Sequence, residues 1–179
     1  MATEVLVKTG TPLVWAAAAE FGNVPWNDTY EMDLGGLANA AAFQGAKGDL
    51  GATRAANYAV RVGIELDVDL SAAGTIEVYW SSSPSATAAT SNTGGASGAS
   101  EAYTDGVNSQ SANLVLLGIL SLPITCDDDI CYQGQIGIFT PTERYGMPVV
   151  INKSGQALEA TADTMYVALI PIVDEIQNA

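Results

Sequence analysis

An all-β fold, an antiparallel β-sandwich or jelly roll of about eight strands, is the class this sequence predicts, on three observations. Val60, Val62, Ile64, Leu66, Val68 and Leu70 alternate with Arg61, Gly63, Glu65, Asp67 and Asp69. That is the period-two pattern of a strand with one buried and one wet face. The other apolar runs are short and bounded by Gly, Pro, Asn or Asp, the residues that end strands. No segment carries convincing helical spacing; residues 37–46 come nearest, and their glycine and missing polar face weigh against a helix.

In chain order, 4–8 and 11–15 read as opening strands with Gly10 between them, and 31–34 as a short edge strand. The alternating run 58–70 follows, then a Ser-Ala-Ala-Gly turn at 71–74. Residues 75–80 alternate again, burying Ile76, Val78 and Trp80. These two runs predict an antiparallel hairpin with a loop of about four residues. Strands are then expected at 114–124, 133–139, 145–151 and 164–172.

Two stretches stand outside a minimal sandwich. Residues 34–57 form an extended, Ala- and Gly-rich segment whose only charges are Lys47, Asp49 and Arg54. Residues 81–113 form a long low-complexity loop, in which positions 81–100 are all Ser, Ala, Thr, Gly, Asn or Pro. Side chains this small bury too little apolar area to offset their own ordering entropy. The stretch reads as a flexible surface loop, as an arm lying on a neighbouring subunit, or as a glycan-like stalk. The whole of 1–179 is expected to be one domain.

Composition excludes several functions. Six Lys+Arg against twenty Asp+Glu leave a net charge of −14, and histidine is absent. Nucleic acid is not the expected partner, because phosphate binding is driven by Lys and Arg displacing counterions. An anionic membrane surface is disfavoured for the same reason. Without histidine, the usual near-neutral acid/base, the commonest metal ligand and the Ser–His or Cys–His pair are missing. The first ten residues show no basic region followed by an apolar run, so synthesis in a cytosol without a signal is expected. The longest apolar stretches fall well short of the ~20 residues of a membrane helix.

Candidate chemistry is sparse. Glu65, Asp67 and Asp69 share the wet face of the best strand, where same-face neighbours lie ~6.5–7 Å apart, inside the range of inverting glycosidases. The plainer reading is a solvated, edge-guarding row. Cys126 and Cys131 flank Asp127, Asp128 and Asp129. The cysteines are disulfide candidates, and the aspartates candidate calcium ligands without EF-hand spacing. A polar hairpin tip between 114–124 and 133–139 explains the same residues. Zinc lacks its other ligands. Lys153 and Ser154 are chain neighbours and point to opposite faces of an extended chain, so they make no dyad. Gly45-Ala46-Lys47-Gly48 lacks phosphate-loop spacing. Trp15, Trp26 and Trp80 suit core or interface packing, or stacking on sugars. Arg144 and Tyr145 read as a turn entering a strand. No catalytic residue and no cofactor is assigned.

The runs KGDLGATRAANYAV (47–60), VYWSSSPS (78–85), GGASG (94–98), RYG (144–146) and MYVALIPIVDEIQ (165–177) are similar to small structural proteins encoded among the virion genes of tailed bacteriophages. The resemblance implies a minor virion protein of the capsid decoration (cement) type, with a β-sandwich or jelly-roll fold and no enzymatic activity. It implies the major capsid protein as partner, self-association as a homotrimer first and a dimer second, and a place on the outer capsid surface after synthesis in the host cytoplasm. Strong negative charge fits high-copy solubility and distance from packaged DNA. Residues 1–15 and 34–57 are the expected arms, and Trp15, Trp26, Lys47, Asp49 and Arg54 the expected subunit contacts. A carbohydrate-binding or receptor-binding jelly roll using Trp26 or Trp80, and a glycosidase using Glu65 and Asp67, are the competing expectations.

Overall fold

A computed structural model describes residues 3–18, 30–104, 111–128, 130–161 and 164–178. These carry twelve strands: β1 (Thr3–Thr9), β2 (Leu13–Ala16), β3 (Tyr30–Glu31), β4 (Ala42–Gln44), β5 (Gly48–Asp49), β6 (Asn57–Ile64), β7 (Gly74–Ser83), β8 (Glu101–Ala102), β9 (Val115–Leu122), β10 (Tyr132–Phe139), β11 (Tyr145–Lys153) and β12 (Tyr166–Asn178). One sheet runs β10-β6-β12-β2-β3, with β1 laid end to end with β2 along β12. The other runs β8-β4-β11-β7-β9, with β5 continuing β4 along β11. All pairings are antiparallel except β2 with β3. The sheets pack face to face as a β-sandwich.

The core follows from the alternation. Tyr58, Val60, Val62 and Ile64 of β6 meet Ile76, Val78 and Trp80 of β7 across the sheet interface, and Val167 and Leu169 of β12 join them. Each such aliphatic side chain, fully buried, contributes ~1.5–3 kcal/mol.

The expected hairpin of 58–70 with 75–80 does not form. β6 pairs with β10 and β12, and β7 with β11 and β9, so the two strands lie in different sheets. The ladder of β6 stops at Ile64. Residues 65–73 cross between the layers, with Leu66 bridged to Leu158 and both Leu66 and Leu70 buried in the core. Alternation continues through the crossing because the chain stays extended, while its partners change. The expected hairpin of 114–124 with 133–139 resolves the same way: β9 belongs to the second sheet and β10 to the first. At that corner the two edges nearly touch. A Cβ on Gly118 would lie 2.2 Å from the Ile136 carbonyl oxygen, and one on Gly137 2.3 Å from that of Leu117.

Residues 34–57 do not leave the domain. They supply β4 and β5, strands of two or three residues that are too short to show a period. No helix forms over 37–46, where β4 sits instead.

Residues 81–104 also turn back on the molecule. They fold over the outer face of the second sheet, where Ala96, Tyr103 and Leu114 pack on Ala42, Met147, Val149 and Ile151 in a second, smaller core. Backbone and hydroxyl groups replace the missing apolar area: Ser81 Oγ donates to the Thr93 carbonyl at 2.6 Å, the Ser82 amide to Thr93 Oγ1 at 2.8 Å, and Asn92 Nδ2 to Ala88 O at 2.7 Å. Gly98 at φ 83° lies so close to Ala88 that a Cβ would meet its carbonyl oxygen at 2.1 Å. Small residues are needed here for close packing within the chain.

At the other end, β12 outruns its neighbour. The register with β6 ends at Ile172 opposite Asn57, and among the described residues 173–178 pair only with β1, Lys8 opposite Val173 through Thr3 opposite Asn178. The result is a two-stranded ribbon extending past the body of the sheet.

Candidate functional site

The carboxylate row of the sequence is dispersed. Glu65 Oε2 accepts a hydrogen bond from Thr164 Oγ1 at 3.1 Å, Asp67 is exposed, and Asp69 Oδ1 accepts from the Asp128 amide at 3.1 Å. Because β6 ends at Ile64, the three lie on the crossing segment and engage different partners. Among the described residues, no group of three or more acidic or cysteine side chains is placed to hold a metal ion. Asp127 and Asp128 are on the link between the sheets, and Asp129 lies outside the described residues.

Cys126 and Cys131 are free thiols. Cys126 is part of the core, while Cys131 is half-buried with its Sγ 3.7 Å from the Thr164 carbonyl. Burial raises both thiol pKa values, so neither is an activated nucleophile. Lys153 pairs with Glu77 at 2.8 Å, and Ser154 Oγ donates to the Gln156 carbonyl at 2.9 Å; they form no dyad. A cleft of about 440 Å³ bordered by Thr75, Ser121, Leu122 and Pro123 brings up one ionisable group, the same Lys153.

Two of the tryptophans are interior. Trp15 and Trp80 are fully buried and meet edge to face at 5.5 Å; Trp15 also stacks on Tyr30 at 5.0 Å and donates from Nε1 to Ala46 O at 2.8 Å. Neither has a face free for a sugar or a neighbouring subunit. Trp26 lies outside the described residues.

Lys47, expected at a subunit contact, is instead the anchor of the small-residue loop. Its ammonium nitrogen lies 3.0 Å from Ser83 Oγ, 3.1 Å from Ser85 O, 2.6 Å from Thr87 O and 3.0 Å from Thr90 O. Burial lowers its pKa, yet every ligand can accept a hydrogen bond and the cation has three protons to share among them. The signal for this was a lone lysine in the Ala- and Gly-rich segment 34–57 and a later stretch, 81–100, with no charge of its own. Which oxygens it would gather was not readable, because nothing in Ser-Ser-Ser-Pro-Ser distinguishes one position from the next.

Asp49 and Arg54 are likewise engaged within the chain. Asp49 receives a two-point contact from Arg144, at 2.8 Å from Nε and 2.7 Å from Nη2, and also accepts from the Gly51 amide at 2.8 Å. Arg54 donates to Thr142 O at 3.2 Å, and the Arg144 guanidinium lies 5.0 Å from the centre of the Tyr145 ring. The bond from Arg144 holds the Asp49 carboxyl below its ordinary pKa. Glu77 is lowered too: burial pushes it up, and the bonds from Lys153 and Tyr79 together overcome that. Burial and this carboxylate push Tyr79 up to about 12.

Both carboxylates therefore hold a proton less tightly in the folded chain than in the unfolded one. Their contribution is complete above the unfolded value of about 4 and is lost as pH falls through the folded values. The thermal midpoint is expected to hold from neutrality to about pH 5 and to fall below about pH 4, with a shallower acid limb in Arg144→Gln. A midpoint that stays level down to about pH 2 contradicts this account.

What remains accessible is strand edge. The ribbon of β1 and β12 is bonded on one side of each strand. Among the described residues, the corner strands β9 and β10 are each paired to one neighbour only. These edges, rather than a pocket, are the candidate functional surface. No protein-family model matches the chain, and neither a curated protein nor a solved structure is significantly similar to it.

Proposed function

We propose that this chain is a non-enzymatic structural component of a bacteriophage virion, a decoration protein that binds the outer surface of the shell built by the major capsid protein and stabilises it. The observation that carries the reading is the β1–β12 ribbon, whose strands, among the described residues, have only each other as ladder partners beyond the end of β6. An isolated two-stranded ribbon is marginally stable in water, and adding a strand from a partner completes it. The rest of the molecule suits a scaffold: Trp15 and Trp80 are internal, and Asp49, Glu77 and Lys47 are engaged with the chain's own groups. A net charge of −14 keeps many copies soluble and away from DNA. Self-association, as a trimer first and a dimer second, would let many weak shell contacts act together.

The test is to mix purified protein with capsid shells stripped of minor proteins. Co-sedimentation with the shell, a raised disruption temperature, and slower amide exchange in 3–8 and 173–178 on binding are expected. A protein that stays in the supernatant with every stripped shell tried would falsify the reading.

A further inference from the structure

We infer that the β9–β10 corner of the sandwich is the surface through which this chain binds a second copy of itself. The inference takes the dimeric form of the self-association proposed above and assigns it a place; it does not depend on shell binding. Four large apolar side chains stand out of the two edge strands: Val115 at 47% exposure, Leu116 at 50%, Ile119 at 44% and Ile138 at 64%. The two strands that carry them run side by side at this corner. Gly118 and Gly137 let the backbones of β9 and β10 approach at the corner, each within a Cβ radius of the other strand's carbonyl. The ladder pairs Ile138 with Ala59, and Ala59 with Ile170, which extends the apolar strip inward across the first sheet. On the second sheet Leu116 is opposite Tyr79 and Ile119 opposite Glu77. Exposed apolar clusters on edge strands are the usual marks of an interface.

Charge selects the occupant. Residues 111–126 and 130–142 contain no Asp, Glu, Lys or Arg, in a chain whose net charge is −14. Two copies repel wherever their carboxylates face each other, and like-charge contacts cost several kcal/mol. Glu77, opposite Ile119 in the ladder, is already neutralised by Lys153 at 2.8 Å, and Asp127 and Asp128 belong to the link that follows Leu122 rather than to either strand. A basic partner would be drawn elsewhere, to Glu65, Asp67, Asp69 and Asp128. A second copy brings the same uncharged, apolar corner, and a two-fold contact covers both at once.

The experiment is the native mass of the wild-type protein across concentration, by sedimentation, beside Ile138→Asp and Leu116→Asp. Both positions are exposed, so the variants should keep the wild-type near-ultraviolet circular dichroism. The wild type is expected to associate, and each variant to raise the dissociation constant at least about a hundredfold, since a symmetric contact buries the new charge twice. Amide exchange of the unmodified protein supplies a readout that needs no variant: 115–122 and 132–139 should become more protected as concentration rises. A wild type that is monomeric at all concentrations, or an oligomer unmoved by both substitutions, overturns the inference. Protection of these strands by capsid shells in a monomeric protein would overturn it as well, and reassign the corner to the shell. Failure to decorate shells leaves the mass measurement intact, so the two proposals fail separately.

Discussion

Trp80→Ala is expected to lower the unfolding free energy by about 3–5 kcal/mol, the range for emptying a large aromatic site in a packed core. Trp80 is fully buried between the sheets, in contact with the Trp15 ring at 5.5 Å and the Phe139 ring at 5.3 Å. The pocket cannot collapse easily, because one wall is backbone: a Cβ on Gly146 would sit 2.5 Å from the indole. The indole Nε1 has no hydrogen-bond partner. Trp80→Phe therefore removes an unsatisfied donor along with part of the ring, and should cost well under half as much as the alanine variant. Denaturant titration of the three proteins checks this. An alanine variant as stable as the wild type would show that β7 does not face the core as described. The same burial removes Trp80 from the carbohydrate-binding expectation, which named Trp26 or Trp80.

Lys47→Met is expected to cost about 2–3 kcal/mol, the scale of charge-assisted hydrogen bonds, with the damage concentrated in residues 83–100. The substitution keeps the aliphatic stem and deletes the ammonium, leaving Ser85 O, Thr87 O and Thr90 O without their shared donor. Ala96, Tyr103 and Leu114 still hold the far part of the loop on the second sheet. Faster amide exchange and protease cutting should therefore appear first near 85–92. Lys47→Arg should not rescue the loop, since a planar guanidinium aims its donors in a fixed fork rather than around a point. If exchange in this segment matches the wild type, the lysine is not what orders it.

The sequence was read well where the physics is local. The all-β class, strands within the expected 58–70, 75–80, 114–124, 133–139 and 145–151, and the buried set Val60, Val62, Ile64, Ile76, Val78 and Trp80 follow from alternation and punctuation, and the structure contains them, with the first strand ending at Ile64 and the third spanning Val115–Leu122. The final strand runs on to Asn178, past the expected end at 172, because β1 pairs with it. The candidate site residues fared differently. Glu65, Asp67 and Asp69 continue a period-two pattern, but the ladder beneath them ends, so the shared face they implied is lost.

Alternation records which side of the chain is dry, and each residue's immediate neighbours suffice to write it. Which strand lies alongside is a matter of distant contacts. Leu66 and Leu70 draw the chain through the core to the opposite sheet, where a four-residue turn at 71–74 would have closed a hairpin. The low-complexity stretch has too little side-chain area to state its own position. Its place comes from an ammonium at Lys47 and a sheet face built by β11, both remote from it in sequence, on which its own Tyr103 packs. Composition and local period were enough for a charged, histidine-free β-protein with two-faced strands. Pairing, the folded-back loop and the uncharged corner had to wait for the folded chain, because each is a sum over residues far apart in sequence.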